Sequence, residues 1–404
     1  MKILVLNCGS STLKFQLIET AAAPKSTGDD VKLARGVVDR IGSAASTRFE
    51  AVGSTEKQES VPIHDHEEAV GKVVEWLNSQ PRLRVFDAVG HRVVHGGERF
   101  TRSVCIDEQV IAALDELCEI APLHNPASVS GIRAARSMLG AAMPMVAAFD
   151  TSFHRTLPKH AFSYAIPQAL ATKHRIRRYG FHGLAHQYSV LRYGELTGAA
   201  KERVNVVTIH LGSGCSACAI RGGESMDTSM GFTPLEGLVM GTRSGDLDPA
   251  LMSYLAQAES VEASEVEHWL NKGSGLLGIS GFSNDMRELM AAYDTNPRAH
   301  LAVDVFCYRA RKYLGAYLAV LGGAEAIIFS GGIGENSPAV REKICANMEW
   351  CGLELDPVAN SKTLGRDGRI SNVDCKLNSF VVHTDEELLI ARETARLIEA
   401  TEKY

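Results

Sequence analysis

The chain has 404 residues, 42 basic against 48 acidic side chains for a formal charge of −6, and 45% hydrophobic residues. That length gives room for two or three domains, each with a core of its own. The charge excludes a global attraction to nucleic acid and no block of Lys and Arg offers a local one, while the longest stretch free of Asp, Glu, Lys and Arg, Val204–Ile220, is too short to span a membrane.

The first residues, Met1 to Asn7, lack the apolar core and cleavage site of a signal peptide. Ile3–Leu6 is a short apolar run, Asn7-Cys8-Gly9-Ser10-Ser11 is turn chemistry, and Leu13, Phe15 and Leu17 then alternate with polar residues, so the chain opens as a β-hairpin. Strands are predicted at Leu33–Arg40, Thr47–Val52 and Ser60–Ile63. Asp65-His66-Glu67-Glu68 reads as a capping box, with Ala69, Val70, Val73, Val74 and Leu77 on one helical face behind it. A strand at Phe86–Gly90 precedes helices at Asp107–Cys118 and Asn125–Leu139, the second with Asn125 as N-cap and Pro126 in the first turn. Met145–Phe149 is a strand that ends on Asp150.

A similar unit returns 203 residues later. Val206–Ile209 is apolar, His210-Leu211-Gly212-Ser213-Gly214 is a turn, and without a gap Asn7 matches His210, Gly9 matches Gly212 and Leu13 matches Ser216. The second half continues with a helix at Ala299–Leu321, a strand at Ala326–Phe329, a helix at Asn336–Met348, a strand at Ser379–Val382 and a helix at Thr384–Glu399. A strand–turn–strand unit occurring twice argues for a duplicated α/β domain, with a boundary just after Asp150.

The two Gly/Ser turns let backbone N–H groups converge on phosphate oxygens, with Lys14 adding charge; an ordinary hairpin turn is the plain alternative. Gly212–Ala217 fits the pattern G-x-G-x-x-A, but that fingerprint needs a helix to follow, and Cys215–Ile220 alternates into the turn Arg221-Gly222-Gly223, so a dinucleotide site is rejected. Cys215 and Cys218, three apart on a strand, face opposite sides and are expected to share neither a metal nor a disulfide. Nine scattered cysteines read as reduced thiols of a cytoplasmic protein. His64 and His66 lack further ligands and read as a solvated helix start. Ser330-Gly331-Gly332-Ile333-Gly334-Glu335-Asn336 is expected to be a tight loop open to a flat ligand. Asp285 and Arg287 are a ligand pair or a surface ion pair. Arg92 and Arg243 are candidate anion clamps, and His182 lies between glycines. Glu387 fits a capping box with Thr384, leaving Glu386 as a first-turn carboxylate. The 36 glycines, roughly 9% against a usual ~7%, cluster at these turns.

Taken together, Asn7-Cys8-Gly9-Ser10-Ser11-Thr12-Leu13-Lys14-Phe15, Tyr179-Gly180-Phe181-His182-Gly183 and Gly332-Ile333-Gly334-Glu335-Asn336 resemble the acetate kinase family, in the right order and nearly end to end. The resemblance implies the acetate/sugar kinase–actin–heat-shock ATPase fold: two ribonuclease-H-like α/β domains, residues 1–150 completed by the C-terminal helix 384–404, and residues 151–383, with an active-site cleft between them. It implies reversible, Mg²⁺-dependent in-line transfer of the ATP γ-phosphoryl group to acetate, giving acetyl phosphate and ADP. Mn²⁺ is an alternative ion. Asn7 and Glu386 would hold the metal through water. Lys14, His210, Leu211, Gly212, Ser213 and Gly214 would contact the nucleotide phosphates, and Asp285, Met286, Arg287, Gly332, Ile333, Gly334, Glu335 and Asn336 the adenosine. Arg92 and Arg243 would clamp acetyl phosphate, His182 would bond the transferring phosphoryl group, and Asp150 would orient or polarise the reacting groups. Val94, Leu123, Phe181 and Pro234 would enclose the methyl group with His124 nearby. A cytoplasmic homodimer, with no membrane or nucleic-acid partner, is also implied.

Two positions depart from the family pattern. Thr12 stands where Ser is usual and keeps the hydroxyl. Ser213 stands where Asn is common, and its shorter side chain is expected to alter the phosphate contact or donor preference; with the adenosine residues intact, a nucleotide is still expected over pyrophosphate. A propionate kinase is the alternative within the chemistry. A non-catalytic nucleotide switch is the alternative outside it, and it would have no use for Arg92, His182 and Arg243 together.

Overall fold

The structure, a computed structural model, describes residues 1–22 and 26–401. By internal packing the chain divides into residues 1–153 with the C-terminal segment from Asp385, and residues 154–384.

The first unit is built on one sheet of eight strands: β1 (Lys2–Cys8), β2 (Thr12–Glu19), β3 (Val31–Asp39), β4 (Ser43–Ala51), β5 (Lys57–Ile63), β6 (Ala88–Val93), β7 (Val104–Cys105) and β8 (Met145–Phe149), ordered β5-β4-β3-β2-β1-β6-β8-β7. The first five form an antiparallel meander. β6 then runs parallel to β1, and β8 parallel to β6. β7, two residues long, is too short to show a period in sequence. β1 carries an unbroken apolar run because both faces are covered. Leu4, Leu6 and Cys8 belong to the core that the helices His66–Ser79 and Asn125–Leu139 complete. Phe15, Phe49 and Trp76 meet there edge to face or tilted, with ring centroids 5.3–5.7 Å apart. The C-terminal helix Glu386–Thr401 approaches so closely that a Cβ at Gly90 would lie 2.6 Å from Thr394 Oγ1.

Three predicted caps are built differently. Asp65 does cap its helix, accepting from the Glu68 N–H at 2.9 Å, but the Glu68 carboxylate returns to the N–H of His64 rather than Asp65. His66 is more than a solvated helix start, for its Nε2 meets the Gly9 carbonyl at 2.6 Å. Asn125 does not cap; its amide makes two 3.0 Å bonds to the His95 backbone. At the C-terminal helix Asp385 rather than Thr384 is the cap, accepting from Leu388 N–H at 3.1 Å.

The second unit has six strands: β9 (Val206–Leu211), β10 (Cys215–Arg221), β11 (Glu224–Thr228), β12 (Ala326–Ser330), β13 (Gly368–Arg369) and β14 (Asn378–Val381), ordered β11-β10-β9-β12-β14-β13. Five of them repeat the arrangement of the first unit: β9, β10 and β11 form an antiparallel meander, and β12 and β14 follow parallel to β9. The repeat slips by one residue at the turn. Asn7 pairs with Lys14, whereas His210 pairs with Ser216, because the second hairpin turn is one residue shorter. Lys14, not Leu13, is therefore the counterpart of Ser216. Nor does Cys215–Ile220 alternate between core and solvent; every residue of it is buried. The expected loop after β12 is a short helix, Gly331–Asn336, and a separate helix, Pro338–Cys345, follows it. The helix Gly183–Thr197 has a mixed surface with little periodicity, and the helices Ala250–Glu259, Ala263–Lys272, Gly275–Ser280 and Met286–Ala291 are short; none of the five is among the predicted elements. All nine cysteines are free. Among the described residues no helix is long and apolar enough to cross a membrane.

Candidate active site

In the first unit the parallel strands β1, β6 and β8 end side by side, which is where sheets of this type expose functional side chains. Asn7, Arg92 and Asp150 come from those ends. Arg92 grips Asp150 with two prongs, Nε to Oδ1 at 3.1 Å and Nη2 to Oδ2 at 2.5 Å. It also lies 3.5 Å from Glu386 and donates from Nη1 to Asn7 Oδ1 at 3.2 Å. Burial opposes the Arg92 charge, but Asp150 and then Glu386 outweigh it and raise the pKa. The Asn7 amide is oriented from both ends, since its Nδ2 donates to Glu387 at 3.2 Å. Glu387, read from sequence as a cap, thus belongs to this cluster. Burial, with Asp150 and Glu387 close by, pushes Glu386 up to about 7 against the pull of Arg92.

Three carboxylates around one guanidinium leave an excess of negative charge, and the donors are all oxygen. That set fits a hard divalent cation. No group of three or more His, Cys, Asp or Glu side chains is poised to ligate a metal directly among the described residues, so a fit here is one through water. Lys14 pairs in register with Asn7 on β2 but its side chain is exposed. The paired Asn125 amide ties the Leu123–His124 segment to the backbone beside Val94. Val94 is half-buried and Leu123 is 47% exposed.

The second unit holds the other residues. His182 is the N-cap of helix Gly183–Thr197 and takes φ +56°, a left-handed conformation costly for a side chain with a Cβ. Several bonds fix it there. The Tyr179 and Gly180 N–H groups donate to the Gly231 carbonyl at 3.1 and 3.3 Å, and the buried His154 donates from Nε2 to the Phe181 carbonyl at 3.1 Å. The His182 ring lies 4.9 Å from that of His210, centroid to centroid. His210 in turn meets Ser330 across β9 and β12 at 3.1 Å. Phe181 and Pro234 are buried.

Gly214 is the floor of this arrangement. A Cβ there would stand 2.8 Å from Arg243 Nη2 and 3.2 Å from His182 Cε1. The loop that carries Arg243 is hooked to the turn by the Gly241 N–H, which donates to the Ser213 carbonyl at 3.0 Å. Arg243 donates to the Pro234 carbonyl at 2.8 Å, and no carboxylate pairs with it among the described residues. Burial accordingly lowers its pKa. A half-buried guanidinium without a counter-ion is a ready anion site.

The helix Gly331–Asn336 starts beside the same turn. Gly331 is required there: its φ is +76°, and a Cβ would lie 2.7 Å from the Leu211 carbonyl. The Glu335 carboxylate is turned inward, accepting from the N–H groups of Gly331 and Thr384 at 3.0 and 3.1 Å and meeting His383 at 2.6 Å. Burial works against its charge, but these bonds prevail and hold its pKa low. Arg341, fully buried and with no carboxylate partner among the described residues, fixes the far end by donating to the Gly334 and Glu335 carbonyls at 2.8 and 3.1 Å. Met286 is buried, while Asp285 caps helix Met286–Ala291 and pairs with the exposed Arg287 at 2.6 Å. Arg341 carries no local sequence signal of its role, and the local signal at Glu387 points to a cap rather than to Asn7.

The sequence profile of the acetokinase family matches residues 2–392. An acetate kinase from Solibacter usitatus is 51% identical over 407 residues, covering 98% of each chain. The crystal structure of Porphyromonas gingivalis acetate kinase superposes with a TM-score of 0.89 at 39% identity, covering 98% of this chain and 99% of that one. That of a propionate kinase from Francisella tularensis gives 0.90 at 37%, with the same coverage. The two-sheet α/β architecture is accordingly the two-domain actin-like ATPase-type fold, and the chain belongs to the acetokinase family.

Proposed function

We propose that this protein transfers the γ-phosphoryl group of ATP reversibly to acetate, forming acetyl phosphate and ADP. The observation that carries the reading is Arg243, a half-buried guanidinium with no carboxylate partner among the described residues, set beside His182 over Gly214. Phosphoryl transfer asks for positioning and for neutralisation of the equatorial oxygens rather than covalent help. Arg243 and His182 supply charge and a hydrogen-bond donor. Lys14, His210 and the Leu211–Gly214 turn serve the nucleotide phosphates. Asp285, Met286, Arg287 and the Gly332–Asn336 segment serve the adenosine, the latter braced by Glu335 and Arg341.

The acceptor is already a carboxylate at neutral pH. One of its oxygens bonds to the γ-phosphorus, the bond from that phosphorus to the bridging oxygen breaks, and the electron pair leaves with ADP. No base is needed. Asp150 is therefore assigned to holding Arg92, and Arg92 to the acyl phosphate. Val94, Leu123, Phe181 and Pro234 offer apolar surface for the methyl group, with His124 beside Leu123. Asn7 and Glu386, supported by Glu387, would hold the divalent ion, which when bound neutralises phosphate charge. Family likeness supports Mg²⁺ in that role, with Mn²⁺ as a substitute, and a cytoplasmic homodimer.

The test is acyl phosphate trapped as hydroxamate, with acetate, propionate and butyrate each offered with MgATP. Acetate is expected to show the highest specificity constant. Because the Francisella protein is a propionate kinase, propionate is the second reading; one methylene is worth only ~1–3 kcal/mol of discrimination. No acyl phosphate from any acid would overturn the kinase reading.

A further inference from the structure

Behind His182 runs a buried chain of hydrogen bonds. His182 Nδ1 is 3.0 Å from Ser216 Oγ. The same oxygen is 2.8 Å from His186 Nε2, and His186 Nδ1 is 2.7 Å from Thr208 Oγ1. Ser216, His186 and Thr208 are all fully buried. Among the described residues these three form no other side-chain hydrogen bonds, so each proton in the chain has few places to go.

We infer that Thr208, His186 and Ser216 are positioning residues that hold His182 in the tautomer with its proton on Nε2. The order follows from the closed end. The Thr208 hydroxyl is a donor with one acceptor in reach, His186 Nδ1, and a buried donor left unpaired is costly. His186 Nδ1 is therefore the bare nitrogen, and the proton of that ring sits on Nε2 and is donated to Ser216. The Ser216 oxygen thus receives one bond, and its own proton has a single acceptor left, His182 Nδ1. His182 must then carry its proton on Nε2, the nitrogen on the side of Gly214 and Arg243. The reverse order would strand the Thr208 proton. Burial lowers the pKa of His186 well below its ordinary value, so that ring stays neutral and the chain keeps one direction.

The consequence is functional. A neutral imidazole is either a donor or an acceptor at a given nitrogen. An acceptor at Nε2 would repel a phosphoryl oxygen, whereas a proton there bonds it. The inference rests on the assignment of His182 to the phosphoryl group. It adds how a ring among glycines is kept ready as a donor without needing to be charged.

The experiment uses the full chain with ¹⁵N-labelled histidine, without nucleotide, at pH 7. The His182 signals are identified by their loss in His182→Asn. A bare-nitrogen shift at Nδ1 and a protonated one at Nε2 are expected; the opposite pattern overturns the inference, whatever the kinetics. Ser216→Ala is expected to mix the two tautomers and lower kcat by about 10- to 100-fold, with KM for ATP within about twofold, as loss of an orienting partner does. An unmixed tautomer in that variant also overturns it. Should Ser216→Ala not fold, the spectrum of the unaltered protein decides alone. The kinetics of His182→Asn separate the two ideas: a kcat within about threefold of the parent would remove His182 from the phosphoryl group, and a large loss together with an Nδ1 proton would remove only the relay.

Discussion

Arg92 and Asp150 form a two-pronged ion pair at the ends of neighbouring parallel strands, with Asp150 only 1% exposed. Both carboxylate oxygens bond the guanidinium, which is the geometry behind the proposed assignment of Asp150 to holding Arg92. Asp150→Ala would leave Arg92 with Glu386 at 3.5 Å as its remaining carboxylate partner. Breaking a buried pair costs about 3–5 kcal/mol, and the surviving partner points to the low end, about 3. Urea unfolding should show that loss, and kinetics should show a higher KM for acetate. A variant as stable as the parent would mean the pair is no support for the fold.

Arg243 should behave differently, because no carboxylate pairs with it among the described residues. Arg243→Ala removes a half-buried charge without a carboxylate partner among the described residues and so is expected to cost little stability. Its effect belongs to the transition state, where an arginine on the transferring group is worth about 10³-fold or more in kcat. The KM for ATP should move by less than about fivefold. Equal losses in turnover and ATP binding would show that Arg243 acts on the bound nucleotide instead.

Much of this was legible in the chain, and the misses share physical causes. The two hairpins stood out through their turn chemistry, and the strand order repeated as the 203-residue offset requires. The one-residue slip at Gly212 did not show, because turn length is set by backbone closure and leaves no mark on the flanking apolar pattern. Ser216 read as one more position on a half-buried strand. Only the three-dimensional pairing of its hydroxyl with His182 at a helix N-cap and His186 within that helix reveals its use. Glu387 matched a local capping pattern, but Asp385 makes the cap, and that frees Glu387 for an Asn7 side chain 380 residues away. Local rules had no means of ranking those outcomes.

The buried histidines make a pH prediction. Burial lowers His91 to about 3, His95 to about 4 with His124 adding to the effect, and His154 to about 4 against the pull of its bond to the Phe181 carbonyl and with Arg178 adding to the effect. An unfolded histidine titrates near 6.5. Between pH 6.5 and 4 the unfolded chain therefore binds protons that the native one does not, so stability falls as pH falls through that window. Each such group costs about 2 kcal/mol on going from pH 6.5 to 5. His154→Gln keeps an amide donor for Phe181 and an acceptor for Ser225, so it should be nearly as stable at pH 7. Its urea midpoint should then drop less than the parent's between pH 7 and 5. Parallel drops would show that His154 is already protonated in the native state.

Gly214 offers the sharpest separation of fold from function. Its φ is not in the left-handed region, so alanine imposes no backbone strain there. The added Cβ would instead meet Arg243 Nη2 at 2.8 Å and His182 Cε1 at 3.2 Å. Of the two, Arg243 is the flexible one, and it must swing away; His182 is locked by its left-handed backbone and by Ser216. Gly214→Ala should therefore leave the melting temperature within about 2 °C, since a surface-facing contact of this kind is worth a few tenths of a kcal/mol. It should lower kcat by about 10²-fold, the usual result of a misplacement near 1 Å at a reacting group. Differential scanning calorimetry beside steady-state kinetics checks both halves. A variant with full activity would mean that neither Arg243 nor His182 needs its present place over the turn.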